Sequence, residues 1–147
     1  AGYEHYEISN FALPGHRSRH NSSYSQGQPY FGFGPSAHAF DGQRRRWNIA
    51  NNSLYMQALQ QDTLPFEEEI LTPQQQLNEY IMISLRTMEG CGLEVIEKKY
   101  GADYLETIIR MADKYLQSGK LLLENNHLVL TEEGKLFADG IAADLFF

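Results

Sequence analysis

The sequence predicts an α+β chain of 147 residues, with strands and turns in its first half and a helical module carrying one β-hairpin in its second. Three observations carry this. Apolar residues recur at helical spacing behind Thr72-Pro73, and again between Tyr104 and Leu116. Leu121-Leu123 and Leu128-Leu130 alternate around Asn125-Asn126, the pattern of a hairpin with an Asn-Asn turn. Before Thr72, short aromatic and β-branched runs are broken by Pro14-Gly15, Gly34-Pro35 and Asp41-Gly42, all turn formers.

Composition narrows the classes. The chain is 42% hydrophobic, enough to bury a core. It does not begin with Met, and AGYEHYEISNF already reads as an ordered element, so a piece of a longer protein is expected. No hydrophobic run is long enough to span a membrane. The single cysteine, Cys91, fits a reducing compartment, and a cytoplasmic location is expected. Net charge is −7, with −2 before Thr72 (five basic, seven acidic residues) and −5 from there on (seven basic, twelve acidic). A module this acidic repels phosphate backbones, so nucleic acid is not an expected partner.

Taken in order, Tyr3 to Ser9 predicts a strand, with Tyr6 and Ile8 on one face. Asn10 to Arg19 predicts a loop. Ser18 to Asn21 predicts the cap of a short helix carrying Tyr24. Tyr30 to Phe33 predicts a short strand ending in a sharp turn. Asp41-Gly42 turns the chain into a returning strand over Arg44 to Ile49. Asn52 or Ser53 caps a helix with Leu54, Tyr55, Ala58 and Leu59 on one face, and Thr63 to Leu71 reads as an extended linker. Thr72 then caps, and Pro73 opens, a helix with its stripe at Leu77, Tyr80, Ile81, Leu85 and Met88, ended by Gly90 and Gly92. A helix over Leu93 to Tyr100 stops at Gly101, and the next stops at Gly119. After the hairpin, Thr131 caps a last helix with Glu132 and Glu133 in its first turn and a buried stripe of Leu136, Phe137, Ile141 and Leu145. Three helices, a hairpin and a closing helix are winged-helix-like. The expected division is residues 1–71 and 72–147.

The most distinctive stretch is Tyr30 to Phe40, YFGFGPSAHAF. Glycine permits close backbone approach and proline fixes φ beyond it, so Ser36, Ala37 and His38 sit just past a turn where a ligand can lie against the main chain. A plain structural turn gives the same pattern.

Together with YEISNFALPG (Tyr6 to Gly15), SRHN (Ser18 to Asn21), RWN (Arg46 to Asn48) and LTEEGKLFADGI (Leu130 to Ile141), this stretch resembles the C-terminal part of the oxygen-independent coproporphyrinogen III oxidase-like family of radical SAM proteins. It is closer to the heme chaperone branch than to the oxidase proper. The resemblance implies the terminal strands of a partial radical SAM α/β barrel followed by the helical domain. It implies S-adenosylmethionine, a four-iron–four-sulfur cluster and heme or a porphyrinogen in the whole protein, and a heme-acceptor protein as a possible partner. The cluster is held by a CxxxCxxC motif in the family. One cysteine cannot supply three thiolates, so no cluster and no radical chemistry are expected of this chain alone. Two positions depart from the family pattern, Ser25 where Trp is common and Ser36 where the chaperone branch has Gly. Both leave the turn intact, and the choice between oxidase and chaperone stays open here.

The resemblance implies that Gly34, Ser36, Ala37 and His38 border the S-adenosylmethionine pocket. His20 and Asn21 are candidates for the heme or substrate mouth, with His20 a possible axial ligand to iron. A capping Asn and a surface His are the plain alternative. Glu7, Ser9 and Asn10 close a strand whose C-terminal end would face a barrel's active site, which makes Asn10 a candidate. Of Arg44, Arg45 and Arg46, the last is the candidate for porphyrin propionates. Cys91 reads as structural. A rival class is a DNA-binding winged helix. The presumed recognition helix opposes it, with Arg110 and Lys114 against Asp103, Glu106 and Asp113. A third reading makes the module a docking cap for the heme acceptor.

Overall fold

The computed structural model describes residues 2–147, Ser25 by its backbone alone. The chain divides into two units, one formed by residues up to Gln26 together with Pro73–Phe147, the other by Gly27–Thr72. In chain order the elements are β1 (Glu4–Glu7), β2 (Asn10–Ala12), α1 (Arg19–Ser25), β3 (His38–Phe40), β4 (Arg44–Asn48), α2 (Asn52–Gln60), β5 (Phe66–Ile70), α3 (Pro73–Leu85), β6 (Cys91–Gly92), α4 (Leu93–Tyr100), α5 (Ala102–Gln117), β7 (Leu121–Glu124), β8 (His127–Leu130), α6 (Glu132–Lys135) and α7 (Ala138–Asp144). This is a mixed α/β chain, and its strand pairs among the described residues are antiparallel.

In the larger unit, β1 and β2 form a hairpin, with Glu4 opposite Ala12 and Glu7 opposite Asn10. The segment expected to be a loop from Asn10 thus begins as a strand. Glu7 explains the reversal: its carboxylate accepts from the Ser9 amide at 2.8 Å and from Asn10 Nδ2 at 2.5 Å, closing the turn. Ser18 caps α1 as expected, its hydroxyl accepting from the Asn21 amide at 3.2 Å. The core is built by Leu77, Ile81 and Leu85 of α3, Ile96 of α4, Ile108 and Ala112 of α5, Leu121 and Leu128 of the hairpin, and Ile141 and Leu145. The sheet order is β6-β8-β7. Asn125 and Asn126 both have positive φ, +47° and +63°, the requirement of the two-residue turn.

Two further expectations fail in this unit. The α3 helix ends at Leu85, so Met88 lies beyond it, exposed. The closing helix is two pieces. The first, α6, is capped by Thr131, whose hydroxyl accepts from the Gly134 amide at 3.0 Å. The chain breaks at Leu136-Phe137 before α7, which turns Leu136 out to 80% exposure and leaves Phe137 exposed as well, while Ile141 and Leu145 stay buried.

In the smaller unit, β3-β4-β5 is a three-stranded sheet. The expected linker is therefore β5. Glu67, Glu68 and Glu69 lie opposite Trp47, Arg46 and Arg45, so charge pairing across β4 compensates for a sequence with no apolar alternation. Tyr30 to Phe33 is not a strand: only Tyr30 pairs, in an isolated bridge to Phe40. The cap of α2 is Asn51, ahead of the expected Asn52 or Ser53, because its side chain accepts from the Leu54 amide at 3.1 Å. Of the expected helix face, Tyr55 is buried.

Candidate functional site

The sequence-singled residues fall in both units. Gly34, Ser36, Ala37, His38 and Arg46 lie in Gly27–Thr72, and Asn10, His20 and Asn21 in the larger unit.

The turn is strained where the sequence placed it. Gly34 has φ +96° and Ser36 φ +61°. Its main chain is held from within. The Gly34 amide donates to Tyr55 Oη at 3.2 Å, and Asn48 Nδ2 donates to the Gly34 carbonyl at 2.8 Å. The Ser36 amide donates to the Ile49 carbonyl at 3.3 Å, and the Ala37 carbonyl accepts from the Asn48 amide at 2.9 Å. Neither Phe31 nor Phe33 packs behind the turn: they are 87% and 89% exposed. Asn48 and Tyr55 brace it instead. Asn48 was visible in the RWN motif; Tyr55 carried no signal beyond its place on a helix face. The tightest position of this stretch is Gly32, where a Cβ would stand 2.2 Å from the His38 carbonyl oxygen. His38 is exposed, its ring 6.4 Å from that of Trp47 on the neighbouring strand. Arg46 donates from Nε to Glu68 at 3.0 Å and lies over the Phe66 ring at 4.8 Å, so an anion reaching it competes with Glu68.

In the larger unit, a cleft of about 330 Å³ opens between the β1–β2 turn, α1 and the end of α3. Glu7, Asn10, Asn21 and Arg86 are on its wall. Arg86 donates from Nε to Glu7 Oε1 at 2.9 Å, from Nη2 to Ser9 Oγ at 3.3 Å and from Nη1 to Asp139 at 3.3 Å. Asn21 Nδ2 donates to Asn10 Oδ1 at 3.3 Å. Burial alone would raise the Glu7 carboxyl, but the Ser9 amide, Asn10 and Arg86 outweigh it and hold it below its ordinary value, ionised. His20, exposed on α1, meets the Tyr24 ring edge-on at 4.7 Å. Arg86 was missed by the sequence reading. Its one signal is a lone charge at the end of an apolar stripe, 79 residues from its partner Glu7.

Cys91 is buried, its thiol pushed up to about 11 by that burial. Among the described residues, no group of three His, Cys, Asp or Glu side chains could hold a metal ion. Among the described residues, too, no helix is long and apolar enough to cross a membrane.

Residues 71–137 match the HemN C-terminal domain family. Over 148 aligned residues the chain is 34% identical to the heme chaperone HemW of Mycobacterium tuberculosis (strain H37Rv), covering 99% of this chain and 35% of that protein. It is 28% identical to the heme chaperone HemW of Bacillus subtilis (strain 168), over 95% of this chain and 37% of that one. Among solved structures it is similar in fold to coproporphyrinogen III oxidase (HemN) from Escherichia coli, a radical SAM enzyme, with TM-score 0.72 and 17% identity over 99% of this chain and 37% of the other. Along its length the chain is thus similar to the HemW and HemN proteins, and residues 71–137 carry the match to the HemN C-terminal domain. It spans 35–37% of the length of these curated relatives.

Proposed function

We propose that this chain is part of a radical SAM protein of the heme chaperone branch, which binds heme and passes it to an acceptor protein. The observation that carries the reading is the similarity to proteins named heme chaperones along 99% of the chain. The likeness to the oxidase is one of fold, and oxidative decarboxylation of a porphyrinogen is the alternative activity.

In this reading the whole protein uses S-adenosylmethionine and a four-iron–four-sulfur cluster. The cluster is not held here: Cys91 is a single buried thiol, and thiolates are what iron–sulfur clusters need. The turn from Gly34 to His38 serves S-adenosylmethionine as a rigid wall. Its amides at Gly34 and Ser36 already donate inward, which leaves shape, the exposed Ser36 and His38, and the outward main chain to meet a ligand. β1 stands as a terminal strand of the radical SAM barrel. The module from Thr72 is a winged helix, a reading supported by the succession α3, β6, α4, α5, β7, β8 with sheet order β6-β8-β7, and by the family match starting at residue 71. It is the docking cap for the acceptor. The lone buried thiol is in keeping with a cytoplasmic protein.

Heme is the cargo, and His20 is its candidate iron ligand: an exposed imidazole with the Tyr24 ring edge-on beside it, directly preceding Asn21 in the chain. Arg46 is the candidate for a propionate. The test is titration of the intact protein with ferric hemin, followed by the Soret band. A saturable complex whose imidazole-type spectrum disappears in His20→Ala supports the reading. Hemin uptake that His20→Ala leaves unchanged overturns the ligand assignment, and no saturable uptake by the wild type overturns the function.

A further inference from the structure

We infer that Arg86 and Glu7 are positioning residues for the heme-ligand helix α1, acting through a directed hydrogen-bond relay Arg86–Glu7–Asn10–Asn21. The inference rests on the heme-binding reading above and adds to it what sets the position of His20.

The relay has a polarity imposed by chemistry. Ionised Glu7 can only accept. Oε1 takes Arg86 Nε at 2.9 Å, and Oε2 takes the Ser9 amide at 2.8 Å and Asn10 Nδ2 at 2.5 Å. Asn10 must therefore turn its NH2 group toward Glu7, which leaves Oδ1 facing α1. Only a donor can answer there, and Asn21 Nδ2 does, at 3.3 Å. Arg86 is itself fixed at the end of α3 by Ser9 Oγ and by Asp139 of α7, both at 3.3 Å. A chain of oriented groups thus runs from the core helices to α1.

α1 depends on such an anchor. It has seven residues, RHNSSYS, with no acid in its first turn and no base in its last. A helix of two turns is not stable by itself and takes its orientation from tertiary contacts. His20 directly precedes Asn21, so a rotation of α1 that breaks the Asn21–Asn10 bond also displaces the imidazole.

The experiment titrates ferric hemin into the intact protein and into Asn21→Ala, Glu7→Gln and His20→Ala, with melting and Soret spectra for each. Asn21→Ala removes the last link while keeping a good helix former, so the fold survives. Glu7→Gln puts an NH2 group against donors and reverses the polarity. For both, Kd is expected to weaken roughly three- to tenfold, the worth of about one hydrogen bond. The Soret band should also shift toward the spectrum of His20→Ala. The spectral change separates positioning from a general loss of stability, which lowers the melting point without altering ligation in the folded protein. If Asn21→Ala and Glu7→Gln keep Kd within twofold and an unchanged spectrum while His20→Ala loses the imidazole signature, the relay is overturned and the heme reading stands. If the wild type forms no saturable hemin complex, the heme reading itself falls, and the relay's role in positioning a heme ligand falls with it.

Discussion

Gly32→Ala should loosen the turn of the smaller unit more than its chemistry suggests. An alanine Cβ there would stand 2.2 Å from the His38 carbonyl oxygen, 2.7 Å from its carbon and 2.9 Å from its nitrogen. All three are main-chain atoms of β3, so no side-chain rotation relieves the clash, and residues 30–34 must lift away. Lifting breaks the reciprocal pair between Tyr30 and Phe40, at 2.8 and 2.9 Å, and the Asn48 Nδ2 bond to the Gly34 carbonyl at 2.8 Å. At about 0.5–1.5 kcal/mol net for each hydrogen bond, the loss is roughly 1.5–4.5 kcal/mol, less whatever water restores. For a chain of this size that is a drop of several degrees in melting temperature, at roughly 2–4 °C per kcal/mol. Hydrogen exchange localises it: the Tyr30 and Phe40 amides should lose protection first. Gly34→Ala is the control. Its Cβ meets nothing within 4 Å, but φ is +96°, so it costs about 1–2 kcal/mol of left-handed strain and should spare the Tyr30–Phe40 pair. If Gly32→Ala melts within about 1 °C of the wild type with both amides still protected, the close approach is not what holds this turn.

Three further outcomes follow from particular contacts. Gly134→Ala would place a Cβ 1.9 Å from the Lys120 carbonyl oxygen, and a cost of about 1–3 kcal/mol should appear as a lower denaturation midpoint; an unchanged midpoint would show that α6 shifts freely. Glu7 is held below its ordinary value of 4.5 in the folded state, so its contribution is complete above that value and disappears as pH falls through the lower folded one. Melting between about pH 6 and pH 3 should therefore show a stability loss that Glu7→Gln reduces, and an identical pH slope in the variant contradicts the network. Cys91, buried with its thiol raised to about 11, should resist alkylation near neutral pH until the protein unfolds; rapid labelling of the native chain would place the thiol at the surface.

Much of the structure was written locally. Ser18 and Thr131 cap helices because a hydroxyl reaches an amide three residues on. Asn125-Asn126 turns because both residues tolerate positive φ. Leu77, Ile81 and Leu85 are buried because they recur every four residues on one helix. Each of these depends on neighbours in sequence, whereas the turn at Gly34 to Ser36 is also braced by Asn48 and Tyr55 from further along the chain. What the sequence could not contain is the identity of distant partners. FEEEI becomes a strand only because arginines and a tryptophan of β4 lie opposite its glutamates. Leu136 and Phe137 satisfy the apolar stripe of one long helix, yet Gly134 seats against Lys120, the helix breaks, and both are turned outward. Asn10, Asn21 and Glu7 were visible as polar residues at element ends, whereas their common orientation comes from Arg86, 79 residues further along the chain than Glu7. Sequence alone determined the local elements, since their energies are set within a few residues. Tertiary structure decided which charges pair and which apolar side chains are buried, because those energies exist only once remote segments meet.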